Sequence, residues 1–157
     1  MEHYIQLEEM EYKQKRGEYP VLCYGIRKGR YFFIVNVGGE YPAAYVEAKK
    51  GEPIDYRILG HEVPDDANPH GGLTYGPENL LRLKKSLEGS GIDEEVLKRG
   101  YWGWDYGHID DYCTWMEEYE EYSDIVLRKW TVDEIYEEDV APFVDWLSEE
   151  YVPLVGK

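Results

Sequence analysis

Residues 21–48 read VLCYGIRKGRYFFIVNVGGEYPAAYVEA, and the fold is decided in this stretch. Val21 to Ile26 reads as a strand, and Tyr31 to Val37 as a second one. The run Tyr31-Phe32-Phe33-Ile34-Val35 is the most β-prone in the chain, because aromatic and β-branched side chains suit a pleated surface. Between the strands stands Lys28-Gly29, a two-residue turn. Gly38-Gly39 makes the next hairpin turn, where positive φ is needed and glycine supplies it without steric cost. Tyr41 to Ala48 is the third strand. Three strands joined by two-residue turns make an antiparallel meander.

Working outward, residues 2–16 read as a short amphipathic helix. Ile5, Leu7 and Met10 give it apolar surface, and Lys13, Lys15 and Arg16 sit at the end that suits cations. Gly17 and Pro20 then break it. On the other side, Ile54 to Leu59 reads as a fourth strand and residues 60–72 as a polar loop. Pro77 to Leu87 reads as a helix, with Pro77 in its first turn and Leu80, Leu81, Leu83 and Leu87 as its stripe. Tyr101 to Gly107 is a short aromatic strand, and residues 110–122 fit no single pattern. Thr131 with Glu134 forms a capping box for a helix running toward Val140. Pro142 restarts or kinks it, and residues 143–151 finish it. The expected class is α+β: a single domain with one antiparallel sheet packed by two or three helices. Within it, 1–19 is an N-terminal helical extension, 20–109 the sheet-rich part and 110–157 an acidic helical part.

At 157 residues the chain is long enough to bury a core without disulfides or metal staples. Its formal net charge is −16. That charge argues against direct nucleic-acid binding and against anionic membranes, both of which need clustered Lys and Arg. No apolar run reaches the length of a membrane span. Met1-Glu2-His3-Tyr4 lacks the basic and apolar regions of a signal peptide, so a cytoplasmic location is expected. Cys23 and Cys113 fit no metal-ribbon spacing and are expected to be buried free thiols.

The acidity is local. Residues 1–109 carry 18 acids and 14 bases, whereas residues 110–150 carry 15 acids and 2 bases. Large apolar side chains such as Trp115, Trp130, Ile135, Phe143 and Trp146 run through the same segment, so it reads as folded with an acidic face. Glu117, Glu118, Glu120, Glu121, Asp124, Asp133, Glu134, Glu137, Glu138 and Asp139 make up that face, beside Asp110 and Asp111. It serves solubility, or it docks on a basic surface of a partner protein as a nucleic-acid mimic.

Two segments stand out for chemistry. One is HGGLTY at residues 70–75, and the other is GWDYGHIDD at residues 103–111. Gly71 and Gly72 allow close backbone approach, and Thr74 offers a hydroxyl. His70, Asp105, His108 and Asp111 together make a two-histidine, two-carboxylate set that suits zinc, manganese or iron. The same groups suit an acid–base pair or a ligand pocket, with Trp104 beside it. They also suit a purely structural lock between two loops. The two segments are expected to meet in space although 35 residues separate His70 from Asp105. The aromatic run from Tyr101 to Tyr122 reads as core, or as rings that stack on a nucleotide-like ligand.

The paired motifs, HGGLTY followed by G(W/F)D..H..D, resemble those of a family of small proteins found mainly in bacteriophages, prophages and mobile elements. The resemblance spans residues 20–150 and implies origin, not chemistry. It suggests an accessory protein that acts by binding a host protein, such as a defence effector. The rival expectations are a small metal-dependent hydrolase and a nucleotide-sequestering protein, both built on His70, Asp105, His108 and Asp111.

Overall fold

The computed structural model describes residues 3–108, 111–113 and 127–151. Its centre is the expected meander: β2 (Val21–Arg27), β3 (Arg30–Val37) and β4 (Tyr41–Glu47). Lys28 and Gly29 have φ of 49° and 79°, and Gly38 and Gly39 have 58° and 75°. Both turns therefore carry the paired positive φ whose twist matches that of the flanking strands. Three more strands complete an antiparallel sheet of six: β1 (Ile5–Gln6) outside β2, β5 (Tyr75–Glu78) at the other edge, and β6 (Tyr101–Asp105) between β4 and β5.

The sheet is covered on both faces, which explains why β3 is apolar at successive positions. Phe32 and Ile34 join a core with α1 (Tyr56–Glu62) and the C-terminal helix, through Leu59, Ile135, Phe143 and Val144. Phe33 and Val35 face a second core with Leu80, Leu83, Val96 and Leu97, on the segment that includes α2 (Glu94–Lys98). Strand β6 alternates in the same way: Trp102 and Trp104 enter the first core and Tyr101 the second.

The C-terminal helix starts where its capping box is written. Thr131 accepts from the Glu134 N–H, and the Glu134 side chain accepts from the Thr131 N–H. It runs through α3 (Val132–Ile135), a widened π-helical turn (Tyr136–Val140) and α4 (Ala141–Glu149). The widening has a local cause. The Pro142 ring would clash with the carbonyl of Glu138, four residues back, and a wider turn relieves that clash without ending the helix.

Three expectations are corrected. Residues 5 and 6 belong to the sheet, and no helix forms among the described residues of 3–19. Lys15 N–H donates to Gly38 O at 2.7 Å, and Asn36 Nδ2 to Glu11 O at 3.1 Å. The segment is thus an extended strap pinned to the second hairpin turn. Residues 56–62 form a helix and not a strand, because Asp55 caps it by accepting from Arg57 N–H at 2.7 Å, while Ile54 is left outside the core. Pro77 lies in edge strand β5, where a missing N–H costs no ladder bond, and the leucines that follow make a 3-10 turn at Leu81–Leu83.

The helix is clamped to β2 by Arg27, which meets Asp145 Oδ1 and Oδ2, each at 2.8 Å, and Tyr136 Oη at 2.7 Å. The Arg27 hydrogen bonds hold the Asp145 carboxyl below the usual carboxylate range. A depressed pKa means stability that is fully present above the unfolded value of about 3.9 and lost as pH falls from there through the lower folded value. Asp145→Asn is expected to cost about 0.5–1 kcal/mol at neutral pH. Urea midpoints should show that gap narrowing as pH falls below about 4; a gap that stays constant would contradict the assignment.

Candidate functional site

The two motif segments meet because β5 and β6 are neighbours. Tyr75 stands opposite Gly103 in the ladder, and one residue earlier Thr74 N–H donates to Gly103 O at 2.9 Å. The loop before β5 is thereby delivered to the end of β6. A turn closes that loop, Gly72 N–H to Pro69 O at 2.7 Å, with His70 inside it. Beyond β6, Asp105 Oδ1 accepts from Gly107 N–H at 3.0 Å and bends the chain off the sheet. Asp111 N–H then reaches His108 O at 2.9 Å, and Tyr112 N–H reaches Arg128 O at 2.9 Å.

Asp111 is the hub. Its side chain is 2% exposed. Oδ2 lies 2.8 Å from His70 Nε2, 3.2 Å from His108 Nδ1 and 3.1 Å from the His108 backbone N–H, which donates to it. Oδ1 accepts from Trp130 Nε1 at 2.9 Å. Burial pushes this carboxyl up, but the hydrogen bonds from His70, Trp130 and the His108 backbone outweigh it and hold the group below its ordinary range.

His70 is fixed from two further directions. Its ring stacks on Tyr106, with centroids 5.0 Å apart and planes 2° apart, and meets Trp130 at 4.9 Å. Its backbone N–H bonds the carboxylate of Asp139, on the π-helical turn. Asp139 also takes a short hydrogen bond from the Tyr106 hydroxyl, which itself accepts from Trp104 Nε1 at 2.9 Å. Burial raises the Asp139 carboxyl, and it raises the Tyr106 phenol further still.

Of the expected site residues, His70, His108 and Asp111 converge, with one ligand atom from each within 4.8 Å of the others. Asp105 does not join that group; its Oδ1 is 4.0 Å from His108 Nε2, on the outer side of the ring. Trp104 is a buried core ring packed edge-on against Phe143. Thr74 is exposed, and it lines a pocket together with Asp105 on the second-core side. Gly71 lies under His108: a Cβ there would stand 2.4 Å from His108 Cε1. At Gly72 a Cβ would meet nothing within 4 Å.

Tyr106, Trp130 and Asp139 are the site residues that sequence reasoning missed. Asp139 was expected on the acidic face, and Asp111 beside it; both are buried and point inward. The helical spacing offered a signal, since Asp139 lies four residues from Ile135 and three from Tyr136, both buried. Of the expected docking acids, Glu137 is exposed, and Glu138 pairs with Arg128, whose guanidinium covers the Trp130 ring at 3.4 Å. Glu117, Glu118, Glu120, Glu121 and Asp124 lie outside the described residues. The aromatic run is core where it is described: Tyr101, Trp102, Trp104, Tyr106 and Tyr112 are all buried. Cys23 and Cys113 are buried and unpaired, and burial pushes their thiols to about 12 and about 11. No helix among the described residues is long and apolar enough to cross a membrane.

No protein-family model, curated protein or solved structure matches the chain.

Gly71 and Gly72 have φ of 71° and 82°, so alanine at either costs about 1–2 kcal/mol of backbone strain. Only at Gly71 does the new methyl also strike the His108 ring. Gly71→Ala should therefore lose more stability in urea than Gly72→Ala, and should shift the His108 ring signals in NMR spectra while Gly72→Ala leaves them in place.

Proposed function

We propose that His70, His108 and Asp111 hold a divalent transition metal and that the protein is a small metal-dependent hydrolase. The observation that carries this reading is one buried carboxylate oxygen, Asp111 Oδ2, met by ring nitrogens of two histidines from different loops. Metal bonds of about 2.0–2.1 Å in tetrahedral geometry place ligand atoms about 3.3 Å apart. The 2.8 and 3.2 Å separations lie close to that value, and with all three ligand atoms within 4.8 Å of one another the two imidazoles would close on a metal by side-chain rotation.

The surroundings support the reading. Ligand carboxylates and imidazoles are usually oriented by further hydrogen bonds, and here Trp130 holds Asp111 Oδ1 while Tyr106 and Asp139 fix His70. The His70 and His108 side chains are 20% and 33% exposed, so a fourth position would face solvent. A two-histidine, one-carboxylate set with an open position suits zinc, manganese or iron, and water bound there is acidified to near neutral pKa. Asp105 Oδ1, 4.0 Å from His108 Nε2 on the far side of the ring from Asp111, would help to orient that imidazole toward a metal held on Nδ1.

Protein purified without chelator should carry close to one equivalent of metal by elemental analysis. His70→Ala and Asp111→Ala should each lose it, and with it any hydrolysis of an activated phosphodiester or ester, since removing one of three ligands sharply weakens affinity, whereas Asp105→Asn should keep most of the metal and lower that hydrolysis without abolishing it. Protein that carries no metal and gains no thermal stability from zinc, manganese or iron would overturn the reading.

A second reading is favoured by the charge split, with 15 acids against 2 bases in residues 110–150. In it the chain is a mobile-element accessory protein that docks acid-first on a basic host protein, such as the DNA groove of a defence nuclease. Changing Glu117, Glu118, Glu120 and Glu121 to Lys should then abolish inhibition of such a nuclease, and native inhibition should fade at high salt. Inhibition that survives both changes would eliminate it.

A further inference from the structure

On the second-core side of the sheet, a pocket of about 340 Å³ opens between β4, β5 and the strap, with Trp104 among the residues that line it. Its walls include Tyr19, Tyr41, Tyr45 and Tyr75, with Arg82 and Asp105 as the charged groups. Asp105, Tyr45 and Tyr75 are brought together by register: Tyr45 and Tyr75 both stand opposite Gly103, and Ala43 stands opposite Asp105. Gly103 has no side chain to occupy the space that the Tyr45 ring fills.

Arg82 is unusual in its partners. Arg27, Arg30, Arg57, Arg99 and Arg128 each pair with a carboxylate. Arg16 and Arg82 pair with none among the described residues, and of these two Arg82 is the one that lines the pocket. Its Nη2 donates to Tyr45 Oη at 2.8 Å and its Nη1 to Tyr75 Oη at 3.2 Å. The guanidinium also lies over the rings of Tyr19, Tyr45 and Tyr75, at 5.6, 5.4 and 5.1 Å. Two phenols and three ring faces thus hold one cation in a fixed direction, with its positive charge uncompensated in a strongly acidic protein. Tyr75 is anchored in turn, donating to Asn79 O at 2.7 Å. Three of the five guanidinium N–H groups remain for a ligand.

From this arrangement we infer that the pocket binds a nucleoside monophosphate. Tyrosine rings stack on any base, because every base has a π-face. A held guanidinium recognises a phosphate through paired N–H donors. Asp105, the other charged wall, repels phosphate and accepts from the exocyclic amine or sugar hydroxyls, which gives the ligand one orientation. The volume is at the small end of the range for ligand sites. The tyrosines involved are not those of the run 101–122, and the binding does not depend on a metal at His70, His108 and Asp111.

Calorimetric titration of the full chain with AMP, adenosine and inorganic phosphate, in chelator and at low salt, tests this directly. AMP should bind saturably, with a dissociation constant below about 1 mM, and either fragment alone should bind more weakly. Arg82→Gln should weaken AMP about tenfold or more and leave adenosine within about threefold; Arg82→Lys should recover part of the loss. Tyr75→Leu should weaken AMP and adenosine alike. Thermal melts confirm that each variant is folded. No saturable AMP binding by the native protein, or equal AMP affinity in folded native, Arg82→Gln and Tyr75→Leu proteins, overturns the inference. Because chelator is present throughout, these outcomes are independent of whether the metal reading holds.

Discussion

Burying a carboxylate costs several kcal/mol unless donors meet its oxygens, and the placement of Asp111 shows how many elements that requirement ties together. Its four hydrogen-bonding groups come from the loop before β5, the turn after β6 and the residue before the capping box. None of these can shift without stranding a charge. The loop reaches Asp111 only because β5 pairs with β6, and Trp130 reaches it only because the chain is aligned at Arg128 before the helix begins. A single buried oxygen pair thus links the sheet edge to the helical layer.

The second buried carboxylate, Asp139, secures the same histidine by another route. It sits on the π-helical turn whose cause is Pro142, and it closes a chain of donors through Tyr106 to Trp104. That network joins the widened helical turn to the middle of β6. The device that accommodates the proline therefore also carries a site residue, which agrees with the frequent location of such turns at functional sites.

Much of this was legible in the sequence, for identifiable reasons. Strands β2 to β4 were readable because β-prone residues and two-residue turn signals agree with each other. The capping box was readable because it is a local reciprocal pair. His70 and His108 were readable as candidates because the chain has only 4 histidines and each of these two adjoins a glycine, and Asp111 because it follows His108 by three residues. The strap at 7–19 was not, since its apolar spacing fits a helix while its hydrogen bonds go to Gly38 and Asn36, partners that local sequence does not reveal. Ile54 misled because an isoleucine beside a capping aspartate remains in solvent. Asp139 misled because three consecutive acids look alike in charge, and only the direction of the helix separates the buried one from Glu137 and Glu138.

The two thiols divide the molecule in an experimentally useful way. Cys23 belongs to the main core between sheet and helices, and Cys113 to a small cluster with Tyr112 and Leu127. Their raised pKa values leave almost no thiolate at neutral pH, and burial denies reagents access, so modification of either sulfur must wait for the chain around it to open. The rate at which Cys113 reacts measures local opening of the segment that holds Asp111. The rate at Cys23 measures opening of the sheet itself. Each natural cysteine is therefore a built-in gauge of a different cooperative unit.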